Sequence, residues 1–144
     1  MLDLGRRTAK DSVSALRDVA PEQVETSYER LVEFVTDRSH ILLIAETDID
    51  GPLGFLLMLD DVPDEVTGLP QAFVAYMAVE PAARRRGVAA QLLAAAEDAA
   101  HVRGLPNVAL MVTEDNLAAR ELYAQAGFAT ERRLLCKRFP GAQR

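Results

Sequence analysis

The sequence predicts a single α/β domain built around a mixed sheet, and three observations carry that expectation. The 144 residues are 49% apolar and 26% charged, enough for one core without covalent staples. The runs HILLIAET and LGFLLML, joined by the turn sequence DIDGP, have the composition and punctuation of an antiparallel hairpin. A further run, QAFVAYMAV, leads through a glycine-containing turn into a long alanine-rich segment and then to NVALMV, the strand, helix, strand order of a crossover connection.

In DSVSALRDVA, Val13, Leu16 and Ala20 recur at helical spacing and predict a first, short helix. Pro21, suited to a first helical position, opens a second in which Val24, Tyr28, Leu31 and Val35 repeat the pattern. After the hairpin, the acidic and turn-rich DDVPDEVTGLP predicts a loop. QAFVAYMAV is expected to stop at Glu80 and Pro81, because proline cannot donate to a central ladder. From Gly87 to Arg103, Val88, Leu92, Ala96 and Ala99 follow a helical repeat, Gln91, Glu97 and Asp98 are polar, and Gly104 supplies the stop. NVALMV predicts a short buried strand, NLAARELYAQAG a helix capped by Asn116 with Gly127 just past its end, and FATERRLLCKRF a final strand in which Cys136 packs. No repeat or linker interrupts this order, so one domain is expected over 1–144.

With 16 Lys and Arg against 22 Asp and Glu, the net charge of −6 argues against nucleic acid or an anionic membrane as partner, since their phosphates would be repelled over most of the surface. The lone Cys136 permits no internal disulfide and fits a reducing compartment. The opening MLDLGRRTAKDS lacks an apolar targeting core, and the longest apolar runs are too short for a membrane span, so a cytoplasmic protein is expected. His40 and His101 are far apart in sequence and match no metal spacing; no metal is expected.

Against this acidic background, AVEPAARRRGVAAQLL sets Arg84, Arg85 and Arg86 before Gly87 at the mouth of the long helix. A helix N-terminus beyond a strand's carboxyl end presents free N–H groups, and such an end takes phosphate. Gly87 permits close backbone approach, the small Ala89 keeps the first turn uncluttered, and the arginines add charge. One glycine is no dinucleotide fingerprint, and the lysine of a phosphate-binding P-loop is missing. Taken separately, each arginine also fits a solvated side chain.

Arg84, Gly87 and Ala89 match the Arg/Gln-x-x-Gly-x-Gly/Ala motif of the GNAT superfamily of N-acetyltransferases, and Val79 and Pro81 precede it as they often do there. NLAARELYAQAGF is similar to a second signature of that family at Asn116, Ala119, Tyr123, Gly127 and Phe128. The resemblance is carried by Phe73 to Phe139; the earlier elements agree in order without a diagnostic residue. It implies a mixed central sheet splayed between its two central parallel strands, with helices on both faces. It also implies an acetyl-coenzyme A-dependent N-acetyltransferase, with a small-molecule or peptide amine as partner and a homodimer compatible with the fold. Main-chain groups of Met77, Ala78 and Val79 would then hold the pantetheine arm, and Arg84, Arg85, Arg86, Gly87, Val88, Ala89 and Ala90 the phosphates. Asn116 and Ala119 would meet the coenzyme, and Tyr123 would protonate the leaving thiolate.

Asn116 and Tyr123 are two helical turns apart with about 20° of drift, so one ligand can touch both. Asn116 equally fits a helix cap, and Tyr123 a packing seam. Relatives with a glutamate in the strand before the phosphate turn would carry it at the place of Phe73, so the general base is left to Glu46, Glu80, Glu114 or water. A coenzyme-binding or interaction module without catalysis is the alternative reading. The acidic loop, with Asp60, Asp61, Asp64 and Glu65, is either a solvated loop or one facing a cationic substrate.

Overall fold

The structure, a computed structural model, describes residues 1–141. Helix α1 (Leu2–Thr8) and a 3-10 turn (Ala9–Ser12) precede helix α2 (Pro21–Thr36). Strands β1 (His40–Thr47), β2 (Gly51–Pro63) and β3 (Pro70–Val79) follow, then a 3-10 turn (Pro81–Ala83), helix α3 (Val88–Val102), strand β4 (Val108–Leu110) and helix α4 (Leu117–Gln125). The sheet has the order β1-β2-β3-β4, antiparallel between the first three strands and parallel between β3 and β4.

The spine is β2, buried on both sides. Leu56 and Met58 face α3, while Phe55, Leu57 and Leu59 face α1 and α2, so each face of the sheet closes a separate apolar cluster. The β1–β2 turn closes with the Asp50 N–H donating to Thr47 Oγ1 at 2.9 Å and Gly51 in the left-handed region at φ 69°. Pro21 starts α2 at a position where its missing N–H costs nothing, and Gln23 Oε1 accepts from the Ala20 N–H at 3.1 Å. On the α2 face, the ring of Tyr28 sits 4.8 Å from that of Tyr76 on β3. Gly5 of α1 lies so close over Tyr28 that a Cβ there would fall 1.9 Å from the ring's Cζ.

Pairing of β3 with β4 is confined to Ala72–Val108, Phe73–Ala109 and Val74–Leu110. Beyond Val74, β3 carries a bulge at Ala75 and continues to Val79 bonded to β2 alone, while β4 ends. The two parallel strands therefore part, and the sheet opens as the resemblance implies.

Four expectations are corrected. The first helix is Leu2–Thr8, not the segment from Asp11 to Ala20. Leu16 and Val19 stay exposed there, so the helical pattern has no apolar surface to bury, whereas Gly5 lets α1 pack directly on Tyr28. The loop after the hairpin is shorter than expected because β2 runs on to Pro63. The strand of NVALMV shrinks to Val108–Leu110 as it diverges from β3. No strand forms in FATERRLLCKRF. Leu134 and Leu135 are 91% and 87% exposed, Cys136 is exposed rather than packed, and a three-residue β4 offers little edge to pair with.

Replacing Gly5 with Ala forces the Tyr28 ring or α1 to move, and the overpacking is expected to cost about 1–3 kcal/mol. Urea unfolding of the two proteins measures it, and the variant's midpoint should be lower at an unchanged slope.

Candidate active site

The parted strands enclose a cleft of about 70 Å³ whose lining includes Ser12, Tyr76, Met77, Leu110, Met111 and Tyr123. On β3 the Glu80 N–H donates to Leu53 O of β2 at 2.7 Å, so by strand alternation Ala78 also turns its backbone to β2. Met77 and Val79 turn theirs to the gap. Of the three residues expected to offer main-chain groups there, two do so and Ala78 is committed to the sheet, with its side chain in the α1/α2 cluster.

At the end of β3 the chain makes a turn rich in unused donors. Arg85 adopts φ 64° and Gly87 φ 78°, and among the described residues no chain group accepts from the N–H groups of Arg85 to Ala90. Successive N–H groups in such a turn form a concave anion-binding nest, reinforced by the positive end of α3. A Cβ on Gly87 would meet nothing within 4 Å, so the space before it is open. Arg84 pairs with Asp11 at 3.4 Å and Arg86 with Asp50 at 3.5 Å, both exposed pairs of little strength. Gly87, Val88, Ala89 and Ala90 form the cap and first turn of α3 behind them.

Across the gap, Asn116 caps α4: its Oδ1 accepts from the Ala119 N–H at 3.2 Å, and its Nδ2 donates to Asp11 O at 3.5 Å. Ala119 is half-buried on the same helix. Tyr123 reaches the cleft with its ring edge-on to Phe128 at 5.9 Å, and burial pushes its hydroxyl above the ordinary tyrosine range. Tyr76 shares its hydroxyl with Thr8 Oγ1 at 3.2 Å; burial raises it too, and the negative field of Asp11 adds to the effect.

Among the described residues, no carboxylate lines the cleft. Phe73 packs into the α1/α2 cluster. Glu46 lies on β1 opposite Pro52, two strands from β3. Glu80 is clamped by both Nη atoms of Arg7, at 3.2 and 2.7 Å, and Glu114 is exposed beside Arg120 at 3.5 Å. The acidic loop is engaged elsewhere: Asp60 pairs with Arg103 at 2.9 Å, Glu65 with Arg132, and the N–H groups of Thr67 and Val66 hold the Asp64 carboxyl below its usual range. His40 bonds its own neighbourhood at Arg38 O, 2.8 Å away, and His101 lies on α3 beside Glu97. Among the described residues, no group of three metal-ligating side chains occurs, and no helix is long and apolar enough to cross a membrane.

Sequence reasoning missed Ser12 and Tyr76. Tyr76 could have been singled out as the hydroxyl in the strand leading to the phosphate turn; Ser12 is far away in sequence and reaches the cleft only through the path of the chain.

A sheet parted at its centre, with a turn of unused N–H groups at one side and a phenol at the other, is the framework of an acyltransferase. The sequence profile of the Acetyltransferase (GNAT) family matches residues 10–128, and the chain belongs to that family. No curated protein matches it by sequence. Among solved structures, a Pyrococcus furiosus protein assigned as an acetyl transferase superposes with a TM-score of 0.81 at 24% identity, covering 96% of this chain and 91% of its own. An aminoglycoside N-acetyltransferase bound to a bisubstrate analogue of coenzyme A and acetylneamine gives 0.63 at 23%, covering 96% and 90%. A ribosomal-protein-alanine N-acetyltransferase from Brucella melitensis gives 0.61 at 25%, covering 93% and 95%.

All three tyrosines resist ionisation, with Tyr28 pushed up to about 12 by burial. Their folded-state values lie above the unfolded ones, so the stability they contribute is complete below about pH 10 and is lost as the pH rises toward 12. Absorbance at 295 nm should show no tyrosine titrating with a midpoint at or below about 10 while the protein stays folded.

Proposed function

We propose that the chain transfers an acetyl group from acetyl-coenzyme A to an amine by direct attack within one ternary complex, in the single domain expected over 1–144. The observation that carries the reading is the free edge of β3 from Ala75 to Val79, running from the Tyr123 cleft to the unused N–H groups of Arg85 to Ala90. The pantetheine arm extends along that edge like an added strand, taking hydrogen bonds from Met77 and Val79. The pyrophosphate sits in the nest before α3, with Arg84 and Arg85 supplying charge. Asn116 and Ala119 border the arm from α4. The acceptor is a small-molecule or peptide amine, a class supported by relatives named for aminoglycosides and for ribosomal-protein alanine.

The neutral amine attacks the thioester carbonyl carbon and the new C–N bond forms as the carbonyl oxygen takes up charge. An N–H of Met77 or Val79 is positioned to stabilise that oxygen. As the C–S bond breaks, Tyr123 donates its proton to the departing sulfur, the attacking nitrogen gives up one proton to water as the amide forms, and water returns a proton to the phenolate. Burial weakens the phenol as an acid, but the same low-dielectric setting disfavours a free thiolate, so the proton's destination rises with its source. Deprotonation of the ammonium falls to water, since no carboxylate lines the cleft among the described residues.

Coenzyme A release from acetyl-coenzyme A with kanamycin, an alanine-starting peptide and spermidine tests the reading; turnover with none of them, alongside coenzyme binding, would reduce the chain to a binding module. Gly87→Glu should abolish coenzyme A binding in calorimetry, because it sets a side chain and a negative charge before two phosphates. Tyr123→Phe should leave that affinity intact and slow kcat by roughly 10²-fold. Without a dedicated base, the rate per amine should climb steadily from about pH 6 to 9, as the neutral fraction of an amine with a pKa near 10 grows. Gln in place of Glu46, Glu80 or Glu114 should each leave that profile within a few-fold; a neutral plateau abolished by one of them identifies a base.

A further inference from the structure

The segment from Asp11 to Leu16 crosses the open side of the sheet. Thr113 Oγ1 donates to Ser12 O at 2.5 Å and the Ala15 N–H to Asp115 Oδ2 at 2.7 Å, tying the segment to the β4–α4 connection. Thr8, just before it, bonds Tyr76 on β3 at 3.2 Å. The crossing is thus held from both arms of the gap, and it sets Ser12 in the cleft wall with Asp11 beside it.

We infer that Asp11 is the residue that receives the acceptor's ammonium group at the mouth of the cleft, and that coenzyme A uncovers it by drawing Arg84 to the pyrophosphate. The inference rests on the acetyl-transfer reading for its choice of ligand. Asp11 is half-exposed, and its only ion-pair partner among the described residues is Arg84, at 3.4 Å. Neighbouring carboxylates are otherwise committed: Glu80 to both Nη atoms of Arg7, Asp115 to the Ala15 N–H, Glu114 to Arg120. Arg84 opens the phosphate turn, so two anions compete for one guanidinium. A long, exposed ion pair is the weaker claim, and a pyrophosphate held in a nest of N–H groups is the stronger. Once Arg84 turns, no other cation among the described residues pairs with the Asp11 carboxylate, the nearby Tyr76 hydroxyl is neutral, and Asn116 Nδ2 engages only the Asp11 main-chain O, so an incoming ammonium meets unopposed negative charge. Asp11 acts as an anchor for the cation, and the proton leaves to water as above.

Calorimetry with n-butylamine and with spermidine tests this without requiring turnover. Wild-type protein loaded with coenzyme A should bind both amines at physiological salt, and Asp11→Asn should weaken both by about ten-fold while coenzyme A affinity is kept or improved. Asp11→Glu, which retains the charge, should recover part of the loss. Without coenzyme A the wild-type affinity should be lower, and Arg84→Gln should remove that difference. Equal amine affinities for wild type and Asp11→Asn, no response of the wild type to coenzyme A, or no amine binding by the loaded wild type overturns the proposal. Failure of acetyl transfer itself appears separately, as absent coenzyme A release.

Discussion

The site depends on β3 having one bonded edge and one free one. Along β2 its ladder continues to Val79, whereas its partnership with β4 stops at Val74. A half-buried strand edge whose N–H and C=O groups find no partner carries a penalty on the order of 1–3 kcal/mol per group unless water or a ligand satisfies it. The free edge is therefore a place that water or an extended ligand can satisfy. Several features hold it open: the bulge at Ala75 re-aims β3, Leu122, Tyr123 and Phe128 pack against the α3-side cluster, and the crossing segment ties both arms to α1.

Charge around the phosphate turn is arranged in the same economical way. The chain is acidic overall, yet the acids nearest the turn are each answered: Asp11 by Arg84, Asp50 by Arg86, Glu80 by Arg7. These pairs are exposed and individually weak, so they contribute little to stability. Their effect is to keep the approach to the N–H nest from being negative, while leaving the arginines free to change partner. Two of the three adjacent arginines thus answer carboxylates beside a turn whose N–H groups find no acceptor among the described residues.

The parts legible in the sequence are those set by local chemistry. Gly87 in the left-handed region at the mouth of α3, Asn116 capping α4 and Gly51 in the hairpin turn each sit where their own conformational or hydrogen-bonding preference puts them. The misplacements share a different origin. The helical spacing of Val13, Leu16 and Ala20 was real, but amphipathic spacing forms a helix only where a surface waits for its apolar face, and Leu16 remains exposed. FATERRLLCKRF has the composition of a strand and no available edge to become one.

The sequence by itself determined the order of elements from α2 to α4, the turn that presents free N–H groups, the helix that carries Asn116 and Tyr123 two turns apart, and the family to which these motifs belong. Those features arise within short stretches, where spacing and residue type are sufficient. Tertiary structure alone decided that Ser12 and Tyr76 border the cleft, that Asp11 pairs with Arg84, that Ala78 turns away from the gap, and that Glu80 is held by Arg7. These outcomes depend on which strand edge stays unpaired and on the path of a segment more than fifty residues before β3. Long-range packing sets both, and residue type records neither.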